Sequence, residues 1–460
     1  MRKFLPCIAL YLLSVSSVNA QTPPAAPAAA TTQPPDTTKT SPWSTHFQLT
    51  VINQIHSGFH AAYSGMNSLS DTVEPAATSI TTTLFLGRKL WKGAAIYANP
   101  EVSGGRGLSY SVGVAGALNG ETYRIGNPEP VLSLSRAYFQ QSFPLGHTDY
   151  EDAPDGPFQV AERLPTHRIT ITAGKYAMSD QYDVNAYSHD PRSQFLNWSL
   201  MSNGAWDYPA DTKGYTSGLI VEWHTPNWAV RLSSVAVPVV ANHPKMEYVF
   251  DKAMSETAEL ERETKLGSHP GTIRLLFSYT QSRAPSYKAG LAALKDNDTA
   301  LLNVIDGNGE GTSYGGHKTG LGLNADQELT DNIGAFARVG WNDGQYATWA
   351  FTEIDQTASL GLSFKGAPWK RPDDVVGVAG VVNGISAEHR AFLKAGGYGF
   401  IIGDGNLNYG HESIVETYYN AKLYEHVFLT FDYQYVTNPG YNKDRHGPVH
   451  VFAFRGHIEF

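Results

Sequence analysis

Cysteine is almost absent from this 460-residue chain; the single thiol is Cys7. It sits in an N-terminal segment that reads as a cleaved leader, so the mature chain is expected to form no disulfide and hold no thiolate-bound metal. Positive charge is scarce too. The formal net charge is −9, and losing Arg2 and Lys3 with the leader takes it to −11. That balance argues against nucleic acid as a partner. No stretch beyond the leader stays apolar for about 18 residues, so no transmembrane helix is expected. Charged residues make up only 17% of the chain, against roughly 25% in an ordinary soluble domain. The sixteen histidines include no H-E-x-x-H zinc motif.

What the chain has instead is 44 glycines, 25 tyrosines and 12% aromatic residues. Its start is basic (Met1-Arg2-Lys3), then apolar over 4–14, then small-x-small at Val18-Asn19-Ala20. This predicts a secretory signal over 1–20, cut before Gln21. The apolar run is shorter than the roughly 20 residues a spanning anchor needs. Residues 21–43 are rich in Pro, Ala and Thr and are expected to be an extended periplasmic linker. The remaining 44–460 form the folded domain.

From Trp43 onward the pattern is strand, turn, strand. Alternation predicts strands at 45–60, 79–91, 94–104, 131–143, 167–176, 215–225, 228–239, 272–283, 315–329, 332–341, 356–365, 373–383, 412–423, 427–436 and 449–460. Single-chain bacterial barrels have an even strand number, so a sixteenth is expected, at 108–117 or 395–402. Tight turns (Lys92-Gly93, Thr225-Pro226-Asn227, Thr330-Asp331-Asn332, Tyr424-Glu425-His426) alternate with long connections (177–214, 240–271, 284–315, 342–355). Short turns inside and long loops outside mark an outer-membrane barrel. The segment 256–263 reads as a short charged loop helix.

The two faces of the strands differ. Leu429, Phe431, Tyr433 and Tyr435 oppose Thr430, Asp432 and Gln434; Phe452, Phe454 and Ile458 oppose Arg455, His457 and Glu459. Aromatic residues at strand ends, such as Trp223, Tyr279, Trp341 and Phe460, suit interfacial girdles. Arg231, Arg274, Arg338 and Asp432 share the other face. They would be costly in a dry core and cost little in a wet lumen. The fold class expected is therefore all-β: a transmembrane antiparallel barrel, sixteen strands, with an inward-folded constriction loop.

Two motifs tempt toward other chemistry. Gly311-Thr-Ser-Tyr-Gly315 matches the G-x-S-x-G of serine hydrolases, but that elbow needs a strand before it and a helix after it. Here a Gly-rich loop precedes and a strand follows. Asp306-Gly-Asn-Gly-Glu-Gly311 resembles half of a calcium loop, yet its twelfth position is His317 rather than Glu. No catalytic residue, metal or cofactor is assigned.

The segment 179–214 has neither period. It crowds rings (Tyr182, Tyr187, Trp198, Trp206, Tyr208) among Asp183, Asn185, Asp190, Arg192, Gln194, Asn197 and Asp207. A loop this long inside a β pattern is functional or disordered, and this one is too aromatic for disorder. Rings can stack on the C–H faces of sugars while Asp, Asn and Arg bind the hydroxyls. The alternative is that the same groups simply anchor the loop to the barrel wall.

This stretch resembles the carbohydrate-selective porins of the OprB type. The residues carrying the resemblance are Ile171-Thr-Ala-Gly-Lys175, Ser188-His-Asp-Pro-Arg192, Phe195-Leu-Asn-Trp198 and Asn203-Gly-Ala-Trp-Asp-Tyr-Pro209, followed by Gly214-Tyr215, Gly218-Leu219 and Pro226-Asn-Trp228. Upstream, Leu118-Asn-Gly-Glu-Thr122 and Gly126-Asn-Pro128 fit as well. The resemblance implies a sixteen-stranded barrel of the bacterial outer membrane that admits mono- or oligosaccharides by facilitated diffusion and whose long loop narrows the pore. The expected constriction set is Asp183, Asn185, Asp190, Arg192, Asn197, Trp198, Trp206 and Asp207, with Arg231 and Arg274 on the wall. Lipid and lipopolysaccharide would surround the barrel, as a homotrimer or a monomer. A general small-solute porin, an outer-membrane lipase or esterase, and a soluble glycan-binding β-protein stand as alternatives.

Overall fold

The computed structural model describes residues 41–122 and 128–460. The expected signal, all but the last three residues of the linker, and Gly126-Asn127 of the resemblance lie outside them. The first strand opens at Trp43, one residue before the domain boundary read from sequence.

Sixteen strands close one antiparallel barrel. In chain order they are β1 (Trp43–His56), β2 (Ala77–Trp91), β3 (Ala94–Gly105), β4 (Val131–Pro144), β5 (Arg168–Tyr176), β6 (Thr216–Thr225), β7 (Trp228–Val235), β8 (Met254–Leu266), β9 (His269–Ser282), β10 (Gly316–Thr330), β11 (Ile333–Asn342), β12 (Gln356–Lys365), β13 (Val375–Gly384), β14 (Glu412–Tyr424), β15 (Val427–Thr437) and β16 (Val449–Glu459). Each pairs with its sequence neighbours. The ring closes where Gln48 of β1 faces Glu459 of β16 and His56 faces Val451. Closure leaves no unpaired sheet edge, the condition for β-structure in a bilayer.

The sixteenth strand is not where the sequence placed it. Residues 108–117 begin as a turn of 3-10 helix, Leu108–Ser111, and 395–402 form a loop after the helix Ala387–Lys394. The additional strand is β8, which runs through the segment expected to be a charged helix and splits the expected connection 240–271. Its alternation is one of charge. Ser255, Thr257 and Glu259 are buried inside the barrel, while Glu256, Leu260 and Arg262 are exposed outside. Acids on both faces hide the apolar period that marks the other strands.

Elsewhere the faces fall as expected. Leu275, Phe277, Leu360, Leu429, Phe431 and Phe454 are exposed on the outer wall, and Arg274, Thr430, Asp432, Gln434 and Arg455 are buried on the inner one. Water is not the inner solvent throughout. An apolar cluster inside the ring joins Tyr176, Tyr182, Trp198, Trp206, Tyr208 and Phe351, with Ile220 and Leu276 of the wall.

Two periplasmic connections depart from the short-turn rule: 366–374, which carries the 3-10 turn Ala367–Trp369, and the longer 145–167. Residues 145–167 form a hairpin of Tyr150–Ala153 and Glu162–Pro165, turned at Pro154-Asp155-Gly156-Pro157, a Pro/Asp/Gly composition that breaks strands. Its Phe158 packs edge-on against the inward Phe85 with ring centroids 5.3 Å apart. Ser44 Oγ donates to the Gly156 carbonyl at 3.1 Å.

Candidate functional site

The connection 177–215 between β5 and β6 lies inside the barrel, and its own Asn and Asp side chains set its shape. Asn185 Oδ1 accepts from the amides of Tyr187 and Ser188 at 3.0 and 3.1 Å. Asp190 accepts from Arg192 N at 2.9 Å. Asn197 accepts from Ser199 N at 3.1 Å and so caps the single helical turn Trp198–Met201. Asn203 accepts from Ala205 N, and Asp211 from Lys213 N and Tyr215 N. These are side-chain-to-backbone turns, which Asn and Asp favour over helix or strand. They explain why the segment shows neither period.

The barrel wall then grips the loop at several points. Asp183 accepts from Arg338 Nε at 3.2 Å, Asn324 Nδ2 at 2.7 Å and Asn203 N at 2.7 Å. Arg338 also donates to the carbonyls of Leu200 and Ser188, at 2.9 and 2.6 Å. Three strands further round the ring, on β14, Glu416 accepts from Leu196 N and Asn197 N at 2.5 and 2.9 Å, and Asn197 Nδ2 donates to Gln434 of β15. Arg455 donates to the carbonyls of Pro191 and Gln194. Arg192 reaches β1–β3: Nη2 pairs with Glu101 and Nε with Glu121, both at 3.3 Å, and Nη1 donates to Gln48 and Thr83. Asp207 accepts from the four successive amides of Trp349, Ala350, Phe351 and Thr352, tying the loop to the connection after β11. Charge-assisted bonds of this kind are roughly twice as strong as neutral ones.

Small residues on the wall let the loop lie this close. A Cβ at Gly340 of β11 would overlap Asn203, and one at Gly334 would overlap the Tyr187 ring. Trp198 and Trp206 are each only 2% exposed. Trp198 meets Phe351 edge-on at 4.7 Å, and Trp206 lies 5.1 Å from Tyr208 and 6.1 Å from Tyr182. Neither indole has a face open to the lumen; both brace the loop.

Arg231 and Arg274 sit apart from these rings, in a charged row along the inner wall. Arg231 Nε meets Glu222 at 2.6 Å, while Nη1 meets Glu259 and Glu261 at 3.0 and 3.1 Å. Arg274 meets the same Glu261 at 2.8 Å and Asp326 at 2.6 Å. Glu259 also accepts from Asp183 N at 2.8 Å, which joins the row to the loop. The side chains of Arg231, Glu222 and Glu261 keep 13–17% exposure, unlike the fully buried Glu259.

All ten expected residues lie inside the barrel, but in separate places: eight along the loop, of which Asp190 and Arg192 reach toward β16 and β1–β3, and two, Arg231 and Arg274, in the row on β7 and β9. Sequence reasoning missed Glu259, Glu261 and Asp326, and did not connect Arg338 to the loop. The signal for the first two was present in the Glu256-Thr-Ala-Glu259-Leu-Glu261 spacing, whose odd-numbered acids share the face of Ser255 and Thr257.

The model of the carbohydrate-selective porin, OprB family, matches residues 79–460. The high-pH structure of Pseudomonas putida OprB is similar in fold, with a TM-score of 0.64 and 16% identity over 91% of this chain and 94% of that one. The outer-membrane channel DcaP of Acinetobacter baumannii aligns with a TM-score of 0.50 and 9% identity over 91% and 97%. No curated protein matches. Porins, the class that the matching family names, are channels. The chain belongs to the OprB family of carbohydrate-selective porins, barrels of the bacterial outer membrane.

Proposed function

We propose that sugars are selected between the inward loop 177–215 and the charged row on the wall beside it. The observation that supports this is the row itself: Arg231, Glu222 and Glu261 retain partial exposure beside a loop whose other groups are spent on internal bonds. Arg231, Glu222 and Glu261 are the groups that meet solute hydroxyls, with Asp190 on the loop, and Arg274, buried between Glu261 and Asp326, holds the row in place. Asp183, Asn185, Arg192, Asn197 and Asp207 hold the loop in shape, and Trp198 and Trp206 set its thickness. Each bond to a sugar replaces one to water, at a net gain of about 0.5–1.5 kcal/mol. A few such bonds give millimolar binding, roughly −4 kcal/mol, weak enough for solute to leave as readily as it enters.

The substrates are neutral mono- or oligosaccharides. A leader over 1–20 directs export, outer-membrane lipid covers the apolar outer face, and lipopolysaccharide meets the outer loops. Since β1 and β16 close the ring within one chain, each chain carries its own passage, in a monomer and in a homotrimer alike. Liposome swelling over glucose, maltose and glycerol tests the reading. Glucose-driven swelling should saturate with concentration. A strictly linear rate for every solute, set by size alone, would make this a general pore and overturn selection at the loop.

A further inference from the structure

A second feature lies above the loop, at the outer end of the barrel. A cavity of about 240 Å³ is lined by Arg106, Tyr110, Ser111, Thr212, Asn242 and Phe400, among others. Arg106, Tyr110 and Ser111 follow β3, Thr212 precedes β6, Asn242 follows β7 and Phe400 precedes β14. Those strands are spread around the ring, so their loops meet across its mouth rather than against one wall. The volume lies just below the roughly 300–1,000 Å³ of drug-sized sites, which suits one sugar ring.

The presentation of Tyr110 is unusual. Ser109, Tyr110 and Ser111 have φ of 46°, 57° and 66°. Non-glycine residues enter this left-handed region at a cost and normally singly. Three in a row persist because the surroundings hold them. Glu74 accepts from Ser109 N at 2.9 and 3.0 Å and from Ser109 Oγ at 2.7 Å. Ser109 Oγ accepts from Ser70 N at 2.8 Å, and Ser111 Oγ donates to Thr122 Oγ1 at 3.0 Å. The result is a tyrosine 74% exposed at the rim of a cavity, with the Arg106 guanidinium 5.6 Å from its ring centroid. A large ring held out of the core by a strained turn indicates a use for its face.

The chemistry of the lining points to a neutral ring with hydroxyls. Tyr110 and Phe400 offer apolar faces. Thr212 and Ser111 donate to the Asn242 carbonyl and to Thr122 Oγ1, and Asn242 Nδ2 donates to the Ala350 carbonyl, so what they present to a ligand is hydroxyl and amide oxygens that accept from sugar hydroxyls. Among the described residues Arg106 is the one cation of the lining, and Glu74 partly neutralises it at 3.5 Å while the Pro75 carbonyl takes another of its donors at 2.9 Å. Against the described lining an anionic ligand would find little free positive charge; a pyranose would find both its faces and its hydroxyls served. We propose that this cavity is a vestibule site that captures a single pyranose from outside before it reaches the constriction. The proposal rests on the sugar-conducting reading above and adds a separate binding step to it.

The test is glucose-dependent ion current through the full-length porin in planar bilayers, with glucose on the loop side. Tyr110→Phe keeps the ring and should block as wild type does. Tyr110→Asn removes the ring but tolerates the left-handed backbone, so the turn itself survives. It should raise the half-blocking glucose concentration about five- to tenfold, the factor set by roughly one ring-stacking contact. Glycerol, which has no ring, should produce no block in any variant. Equal half-blocking concentrations for wild type and Tyr110→Asn would overturn the vestibule site. So would a wild-type current indifferent to glucose, even if liposomes swell. Failure of wild-type liposomes to swell in glucose would instead refute the sugar-conducting reading itself.

Discussion

Arg192→Ala should release the inward loop from one side of the barrel. Arg192 is 7% exposed and bridges Glu101 and Glu121, whose side chains are 0% and 3% exposed. Removing one partner of a buried ion pair costs about 3–5 kcal/mol, because the other partner is left uncompensated. The lower end applies here, since Glu101 keeps hydrogen bonds from Thr83 Oγ1 at 2.7 Å and Tyr215 OH at 2.9 Å. About 3 kcal/mol is roughly a hundredfold in the docked-to-undocked ratio of the loop near 186–196. The barrel hydrogen bonds are untouched, so thermal unfolding should move little. The effect belongs in single-channel recordings: higher ion conductance, a noisier open state and a higher half-blocking concentration for glucose. Arg192→Lys should fall between, because an ammonium cannot span two carboxylates as a guanidinium does. Conductance and sugar block identical to wild type in Arg192→Ala would refute the idea that this bridge positions the loop.

Leu360→Arg puts a charge on an outer-wall residue that is 70% exposed to lipid, at about 2–4 kcal/mol near the midplane; the heat-modifiable folded band on gels should weaken, and undiminished assembly would contradict the outward assignment. Glu310→Cys should react with an impermeant thiol reagent on intact cells and Asp331→Cys should not, because 310 lies in a long connection and 331 in a two-residue turn; equal labelling would reject the long-outside arrangement. Glu74 gives an acid limit. Burial raises its pKa, but the Ser109 hydroxyl and amide and the His56 ring outweigh it, and the carboxyl is held below its ordinary value. A depressed folded value stabilises the turn above the unfolded pKa of about 4.3 and is lost as pH falls through the lower folded value. Glucose block should therefore be the same at pH 7 and pH 5 and weaken only once pH falls below the unfolded carboxyl's value and through the lower folded one; a loss already between 7 and 5 would assign the hold on the turn to another group.

The barrel was legible because its outer solvent is apolar. Lipid forces Leu275, Phe277, Phe431 and Phe454 to alternate with polar partners, and that period survives in the sequence. Strand β8 was illegible for the complementary reason. Glu259 and Glu261 face in to pair with Arg231 and Arg274, and Glu256 and Arg262 face out near the strand's neighbours. With charge on both faces the hydrophobic period disappears, and a charged helix is the natural misreading. Only the pairing of β8 with Arg231 and Arg274 across the sheet restores its meaning, and pairing is not a local property.

The inward loop shows a different limit. Its composition of rings beside Asp and Asn is equally suited to gripping a sugar and to gripping a wall, and the two uses were left open in the sequence. The structure divides them by burial. Asp183, Asn197 and Asp207 spend their oxygens on backbone amides and wall cations, and Trp198 and Trp206 pack against rings. A buried donor or acceptor left unpaired costs about 1–3 kcal/mol, so a loop threaded through a barrel must first satisfy itself. Most of its polar side chains are consumed in doing so. What remains for solute is supplied by groups whose partners hold them at the lumen edge without covering them, such as Arg231 between Glu222 and Glu261. On the proposed reading, selectivity in this barrel is carried by wall residues of several strands, while the loop fixes how closely a solute must approach them. Substitutions in the loop should therefore alter conductance and sugar block together, and Arg231→Gln should alter sugar block more than conductance.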